Sequence, residues 1–238
     1  GDFFFFFKAD DIVAWVDDAN LHDGLMRQYT VVKLDKAGTL EQVLKEKGLD
    51  KDKIMSLKVE GDICETDLSF MGQKMSHLMY LNLSKAIIVA NANGDGAGVM
   101  QGFGYAPLKH IVFPEKSMKT IAGWAFSHSK LSGNLIFPEG LEDIQHYSFA
   151  ECDLYGELKL PSTLKHLDGN LGSYGALTGN LILPEGLISA NEQPSGNFTG
   201  TYNFPSTLKS INGNWGYPNM TGTLVIPKFL TKLGDGNV

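Results

Sequence analysis

The sequence predicts an α/β solenoid, a stack of short coils that share a parallel sheet on one face. Three recurring features predict this fold. An alternating apolar triplet precedes each of six prolines, and two apolar residues spaced three apart follow each proline. The prolines recur at intervals of 24, 23, 23, 21 and 22 residues: Pro114, Pro138, Pro161, Pro184, Pro205 and Pro227. One such unit cannot bury its own apolar residues, whereas stacked units bury them together.

The apolar triplet before each proline predicts a strand. In residues 135–137, for example, Leu135 and Phe137 are expected to point inward while Ile136 points outward, because side chains alternate along a strand. Proline then ends the strand, since it has no N–H to donate to a ladder. A glycine precedes the strand where a tight bend needs freedom of φ: Gly133, Gly156, Gly179, Gly200 and Gly222.

The apolar pair after each proline, such as Leu141 and Ile144, has the spacing of a short helical or 3₁₀ turn. We therefore expect helical, 3₁₀ or irregular connections on the face opposite the sheet. Residues 66–78 have apolar side chains at helical spacing and predict an α-helix. Residues 39–47 predict another, with Thr39 as its N-cap and Gly48 as its stop.

These elements divide the chain in two. Residues 1–50 are predicted to form an N-terminal cap region of non-repetitive strand and helix, and residues 51–238 one continuous solenoid domain. The helix in 39–47 is expected to cover the first coil as a helical cap. Residues 1–38 are expected to hold a strand and a short helix near 12–16, and the five phenylalanines at 3–7 have no assigned role.

Two segments carry a resemblance to a known family. They are LKHIVFPEKSMKTIAGWAFSHSKL (108–131) and GNLIFPEGLEDIQHYSFAECDL (133–154). Both resemble the BspA-like class of leucine-rich repeats, whose unit is roughly IxLPxxLxxIGxxAFxxCxxL, and Cys152 falls on its cysteine. The resemblance covers about residues 50–238, although later copies replace the Ala-Phe pair. It implies a right-handed leucine-rich-repeat superhelix that is exported or displayed on the surface of host-associated bacteria, where some members adhere to host proteins.

Composition and motifs argue against several other classes of protein. The net charge of −7 and the lack of a Lys/Arg cluster argue against a nucleic-acid binder. No apolar run is long enough to span a membrane as a helix. The six histidines fall in different repeat phases, and no nucleophile elbow or phosphate-binding loop is present. We therefore expect no enzymatic activity, no cofactor and no metal, and we expect Cys64 and Cys152 to be buried as small apolar residues.

The outward positions of the predicted strands form the candidate binding site. They would lie in two side-by-side ladders on the sheet. Exposed apolar residues among polar ones often mark an interaction surface, but β-branched residues also favour a solvated sheet, and both interpretations stay open. The candidate residues are His110, Val112, Asn134, Ile136, Glu157, Lys159, Asn180, Ile182, Thr201 and Asn203.

Aromatic residues outside the strands give a second set of candidates. Trp124, Tyr147 and Trp215 lie close to one repeat phase, and we expect them to fill the back of the core, with sugar or partner contact as the alternative. The loop at 91–104 opens like a calcium loop, but Gly102 stands where a glutamate ligand is needed. We interpret that loop as an insertion that makes Phe103 and Tyr105 contact candidates.

The glutamates Glu115, Glu139 and Glu185 occupy one repeat phase after the prolines, and we interpret them as solvated turn residues.

The resulting hypothesis is an exported or surface-bound adhesion protein that recognises a protein or glycan partner on the strand face. A structural spacer on the cell surface is the alternative, and a carbohydrate-active enzyme on a parallel β-helix is a third candidate. The sequence contains no signal segment, and it leaves open whether a signal peptide or a lipid anchor preceded Gly1. The last coil has no polar capping helix, which leaves three alternatives: a homodimer through that coil, further chain beyond it, or incomplete cover by residues 234–238.

Overall fold

The computed structural model of the chain describes residues 28–169, 171, 177–192, 194–201, 203–213, 215, 218–221 and 225–233. The phenylalanine run at 3–7 and the helix predicted near 12–16 lie outside the described residues. Strands dominate the described part, and every strand pairing in it is parallel. The prediction of a repeating parallel solenoid with few helices is therefore confirmed.

The described part contains two α-helices, a 3₁₀ helix and eighteen short strands. The helices are α1 (Leu40–Glu46) and α2 (Glu65–Lys74), and the 3₁₀ helix is Lys51–Lys53. The strands are β1 (Thr30–Leu34), β2 (Ser56–Ile63), β3 (Tyr80–Asn82), β4 (Ala86–Ile88), β5 (Val99–Met100), β6 (His110–Val112), β7 (Thr120–Ile121), β8 (Ser132–Gly133), β9 (Asp143–Ile144), β10 (Asp153–Leu154), β11 (Gly156–Glu157), β12 (His166–Asp168), β13 (Leu177–Asn180), β14 (Ser189–Asn191), β15 (Gly196–Thr201), β16 (Ser210–Asn212), β17 (Met220–Thr221) and β18 (Lys232–Leu233).

The first sheet has the order β1-β2-β3-β6, with β4 paired to another part of β2. Helix α1 contacts β1 and α2, and its Leu40 and Leu44 are buried, as their spacing predicts. Thr39 is the residue before the helix, but its side chain caps nothing and donates to the Lys36 carbonyl instead. Gly48 follows the helix with a φ of +66°, as expected of a glycine that ends a helix.

A buried carboxylate replaces the missing cap of α1. Asp67, on α2, accepts hydrogen bonds from the Gly38 N–H at 2.6 Å, the Leu40 N–H at 2.9 Å and the Cys64 N–H at 3.0 Å. It thereby binds the start of both helices and is itself only 1% exposed. One charged side chain therefore satisfies three backbone donors at the helix starts, two of them on the buried residues Leu40 and Cys64.

The seven-stranded sheet is the most regular part of the solenoid, with the order β5-β7-β9-β12-β14-β16-β18. Its register follows the repeat, since His166 lies opposite Asp143 on one side and Ser189 on the other. Six strands of this sheet, β5, β7, β9, β12, β14 and β16, each contribute one buried residue to the core: Met100, Ile121, Ile144, Leu167, Ala190 and Ile211.

The position of this sheet corrects the prediction of helical or 3₁₀ connections after the prolines. The turn is complete at the first apolar residue, where the Leu141 N–H donates to the Pro138 carbonyl at 3.3 Å. The chain is then extended, and the N–H of Asp143 donates to Lys119 of the preceding coil at 3.1 Å. A turn followed by a short extended segment therefore produces the same apolar spacing of three as a helix.

The strands predicted before the prolines are also displaced. Only β6 overlaps a predicted triplet; β13, for instance, ends at Asn180, just before residues 181–183. The ladder ends at or one residue after the bend glycine, as at Gly179, which has a φ of +83°. Within the triplet the predicted alternation holds, since Leu135 and Phe137 are each 8% exposed while Ile136 is 63% exposed.

The core is filled by columns of like residues from successive coils. Phe103, Phe126 and Phe149 stack on one another, with ring centroids 5.3 and 5.2 Å apart and nearly parallel planes. Phe113 and Phe137 form a second stack at 6.0 Å, against which Phe126 and Phe149 pack edge-on. Stacks of this kind add to the stabilisation that area burial provides.

The turns that begin at the prolines have two alternating sequences, and each turn of one kind pairs with a turn of the other kind in the next coil. The sequence PEG at 138–140 alternates with PST at 161–163 and recurs as PEG at 184–186 and PST at 205–207. In the first pair, Thr163 Oγ1 accepts from the Gly140 N–H at 2.9 Å and donates to the Leu141 carbonyl at 2.8 Å. Ser162 Oγ donates to Glu139 at 2.8 Å. The second pair repeats these contacts, so the alternation is a hydrogen-bonding pattern between neighbouring coils.

The Asp67→Asn variant is expected to lower the free energy of unfolding by about 3 kcal/mol, because an amide nitrogen would face buried N–H donors and leave them unpaired. Urea denaturation monitored by circular dichroism measures the change. Asp62→Asn is the matched control, since Asp62 is exposed and makes no hydrogen bond within the described part of the chain. Equal stability of the two variants would contradict the role given to Asp67.

The Thr163→Val variant is expected to lose about 1 to 2 kcal/mol of unfolding free energy, because the Gly140 N–H and the Leu141 carbonyl both lose their partner. Thr207→Val should behave similarly, since Thr207 makes the equivalent contacts in the second pair of turns. Thr178→Val, at an exposed position, serves as the control and should change stability little. The same urea titrations test all three variants, and a Thr163 effect no larger than that of Thr178 would refute the pairing.

Candidate functional site

The candidate site predicted from the outward strand positions is found largely at the protein surface. His110, Val112 and Asn134 are half-buried. The other candidates are exposed: Glu157, Lys159, Asn180, Ile182, Thr201 and Asn203, together with Ile136. Exposure makes these side chains available to a partner, and their role in binding stays a prediction.

The first predicted ladder places the equivalent residues of successive coils side by side: His110, Asn134, Glu157, Asn180 and Thr201. Its order needs one correction. Glu157 lies opposite Thr178 rather than Asn180, and Asn180 lies opposite Thr199 rather than Thr201. The ladder is thus shifted by two residues, because the pairing of β11, β13 and β15 does not follow the repeat register. Two is an even number, so the side chains keep their outward direction.

The polar member of each coil instead lies over the bend glycine of the next coil. A Cβ atom at Gly179 would lie 3.1 Å from Glu157 Cγ, and one at Gly200 would lie 2.5 Å from Asn180 Oδ1. Glycine is favoured here by its positive φ, and a Cβ atom would also force the Glu157 or Asn180 side chain to shift. The polar side chains Glu157 and Asn180 are held against the neighbouring coil by this contact.

Ile136, Lys159 and Ile182 occupy one repeat position on three consecutive coils, and we call them the strand-face triad. Ile136 and Ile182 are 63% and 65% exposed, which is unusual for large aliphatic side chains. Lys159 is exposed and makes no ion pair or hydrogen bond within the described residues. The triad thus presents a free cation between two apolar groups.

The lysines beside the seven-stranded sheet differ from Lys159. Lys119 and Lys165 both contact Glu142, at 3.1 and 2.5 Å. Their hydrogen bonds, first from Lys165 and then from Lys119, hold the pKa of Glu142 below its ordinary value of 4.5. The single carboxylate of Glu142 thus links the lysines of two neighbouring coils.

The aromatic residues correct another prediction. Trp215 fills the core as expected and is 2% exposed, but Trp124 is 51% exposed and stacks on the half-buried Tyr147 at the surface. Phe103, predicted as a contact candidate, is fully buried in the phenylalanine stack, whereas Tyr105 is 77% exposed. Sequence spacing alone cannot separate these cases, because aromatic residues occur at both buried and outward positions of the same turn.

The loop at 91–104 is closed by its own hydrogen bonds. Asn91 Oδ1 accepts from the N–H groups of Asn93 and Asp95, at 2.9 and 3.1 Å, and Asn91 Nδ2 donates to Glu65. Asn91, which would open a calcium loop, is therefore engaged in an Asx turn. Across the described residues, no group of three His, Cys, Asp or Glu side chains is placed to hold a metal ion.

The glutamates interpreted as solvated turn residues are exposed, but they are not free. Glu139 and Glu185 accept from the serines of the adjacent turns, and Glu115 lies 3.6 Å from Lys85. These three glutamates therefore link neighbouring coils.

Both cysteines are buried and free, as expected. Burial is the main cause that raises the pKa of the Cys152 thiol to about 11. A thiol with so high a pKa is protonated at neutral pH and is a poor nucleophile. Cys152 therefore behaves as a core residue, and its Sγ lies 3.2 Å from the Phe126 carbonyl.

Apolar side chains are exposed on the last described coil. Val225 is 70% exposed, Ile226 54% and Phe229 59%. Ile226 was expected to point inward and does not do so. A homodimer through this coil stays a prediction, as one of the three alternatives.

The fold and the surface together define a leucine-rich-repeat solenoid, in which short parallel coils carry variable outward residues on a fixed core. A family model described as the BspA type leucine-rich repeat region matches residues 100–217 in six copies. Residues 100–217 are therefore leucine-rich repeats of this type, and the resemblance seen in the sequence is confirmed for them. The comparison with curated proteins found no match. Among the described helices, none has the length and apolar character needed to cross a membrane.

Proposed function

We propose that this chain is a non-enzymatic binding protein that recognises a protein partner through the strand-face triad. The observation that carries the proposal is the unpaired Lys159 between the exposed Ile136 and Ile182. Exposed apolar groups beside polar ones are typical of interaction surfaces, and solenoids commonly bind on such extended faces. Leucine-rich repeats of this type are associated with interaction roles, which supports the proposal.

The chemistry of the triad indicates what the partner presents. A lysine ammonium between two aliphatic side chains fits a carboxylate flanked by apolar groups. An extended peptide segment provides such groups at alternate positions. We therefore propose an extended acidic and apolar segment of a protein as the ligand, and a glycan as the alternative on this face.

Two further features belong to the proposal. The BspA-type region is typical of surface-associated proteins, which supports export to the bacterial cell surface and a role in adhesion. We also propose that the solenoid is right-handed, since nearly all parallel crossover connections have that hand.

A separate part of the proposal is that helix α1 acts as the cap over the first coil. It lies at the junction between residues 1–50 and the solenoid domain at 51–238.

The binding proposal predicts that the triple variant Ile136→Asp, Lys159→Asp and Ile182→Asp loses at least tenfold in affinity for its peptide ligands. Ligands would be selected from a displayed library of random decapeptides on the immobilised chain, and affinities measured by calorimetry. Loss is expected because the triad's apolar contacts disappear and its positive charge is reversed. The selected peptides should be enriched in a carboxylate flanked by apolar residues.

The control variant is Lys116→Asp with Lys130→Asp, two exposed positions outside the triad. It lowers the net charge by the same amount, because each lysine change counts twice. It should retain the parental affinity. Failure to select any peptide above background would favour the structural spacer, and equal binding by the triple variant would refute the strand-face triad as the site.

A further inference from the structure

A second surface feature lies outside the strand-face triad. Trp124, His146 and Tyr147 lie together just after strands β7 and β9, and we call them the aromatic cluster. Trp124 and His146 are exposed, and Tyr147 is half-buried. The rings of Trp124 and Tyr147 stack with centroids 4.7 Å apart and planes 21° apart. His146 lies edge-on to both rings, at 6.3 and 6.1 Å. We propose that the aromatic cluster is a binding site for a neutral carbohydrate.

The backbone at this cluster does not account for the aromatic residues. Trp124 and Tyr147 stand at the same repeat position, and both have positive φ, +61° and +54°. Glycine or asparagine adopts this conformation at least cost, whereas bulky side chains are disfavoured there. The turn would therefore form at least as well without a ring at either position, so another property of these side chains is needed to explain them.

Core packing does not account for the aromatic residues either. Trp124 is 51% exposed, although a tryptophan of equal size, Trp215, is almost fully buried elsewhere in the chain. Tyr147 packs against one side of the indole, and the exposed half of Trp124 faces solvent. A flat, solvent-facing aromatic surface is the platform on which the C–H groups of a pyranose ring pack.

The polar ends of the cluster are free. Trp124 Nε1, Tyr147 Oη and both ring nitrogens of His146 make no hydrogen bond to any residue that the structure describes. The neighbouring Gln145 differs, since it accepts from the Gly123 N–H and donates to Asp143. Donors and acceptors thus surround an apolar ring surface, and none of the described residues satisfies them.

This combination selects among ligand classes. A purely apolar partner would cover the free donors and leave them unpaired, which is unfavourable. A cation would use the ring faces but would leave the indole N–H and the phenol O–H donors without acceptors. A neutral sugar has an apolar C–H face and a ring of hydroxyl groups, so it matches both the rings and their polar ends.

The test uses substitutions that remove the rings without straining the backbone. The double variant Trp124→Gly with Tyr147→Gly places glycine at two positive-φ positions and is expected to fold. Tyr105→Gly is the matched control, because Tyr105 is also an exposed ring at positive φ, +60°, but lies outside the cluster and stacks on His128. Circular dichroism and urea denaturation check that both variants remain folded.

Binding would be measured by saturation-transfer NMR with neutral hexasaccharides of glucose, N-acetylglucosamine, mannose and xylose. We expect the parent to bind at least one of them, the double variant to lose at least tenfold in affinity, and Tyr105→Gly to change it less than twofold. The triple-aspartate variant of the strand-face triad should bind the sugar like the parent, so the two sites fail or succeed separately. Absence of binding to every hexasaccharide, or binding that survives the double variant, would overturn the proposal.

Discussion

Most strands of this protein are two or three residues long, and a strand of that length is held in place only by the coils on either side of it. Its N–H and C=O groups find partners in the neighbouring coil, and its single inward side chain packs between the equivalent residues of that coil and the next. Backbone hydrogen bonding and core packing therefore have the same requirement, a constant repeat register. The seven-stranded sheet meets this requirement most fully.

The constant register restricts the identity of the inward residues, whereas the outward residues can vary. Ile121, Ile144 and Leu167 must all be apolar because each one packs on the next. Outward positions carry residues as different as Ile136 and Lys159 without changing the path of the coil. Two kinds of outward surface result, the strand-face triad and the aromatic cluster, and they lie on different parts of each coil. The same scaffold thus carries more than one candidate binding surface.

Much of the fold could be predicted from the sequence, because the proline interval and the apolar columns are direct consequences of stacking. The location of the strands was the main error. An apolar pair three residues apart is produced by a 3₁₀ turn and equally by a β-turn followed by an extended segment, as at Leu141 and Ile144. Only the hydrogen bond from Asp143 to Lys119 of the previous coil separates the two, and that partner is distant in sequence.

The candidate site shows the same limit. Alternation within a triplet correctly predicted that Ile136 and Ile182 are exposed, because it depends only on local geometry. Trp124 was expected in the core but is exposed. Its exposure depends on a left-handed backbone conformation, which the presence of a tryptophan does not predict. The two-residue shift between Glu157 and Asn180 also lies beyond local pattern, since it arises from how whole coils stack.

The alternation of PEG and PST turns has a consequence for how such a chain can change in length. Removing the single coil that carries residues 161–163 would bring two PEG turns together, with Glu139 beside Glu185 and no threonine to accept from the Gly140 N–H. Removing two adjacent coils would preserve every contact of the remaining pair. Within residues 138–207 the smallest interchangeable module is therefore a double coil, because only a pair of unlike turns keeps its hydrogen bonds complete.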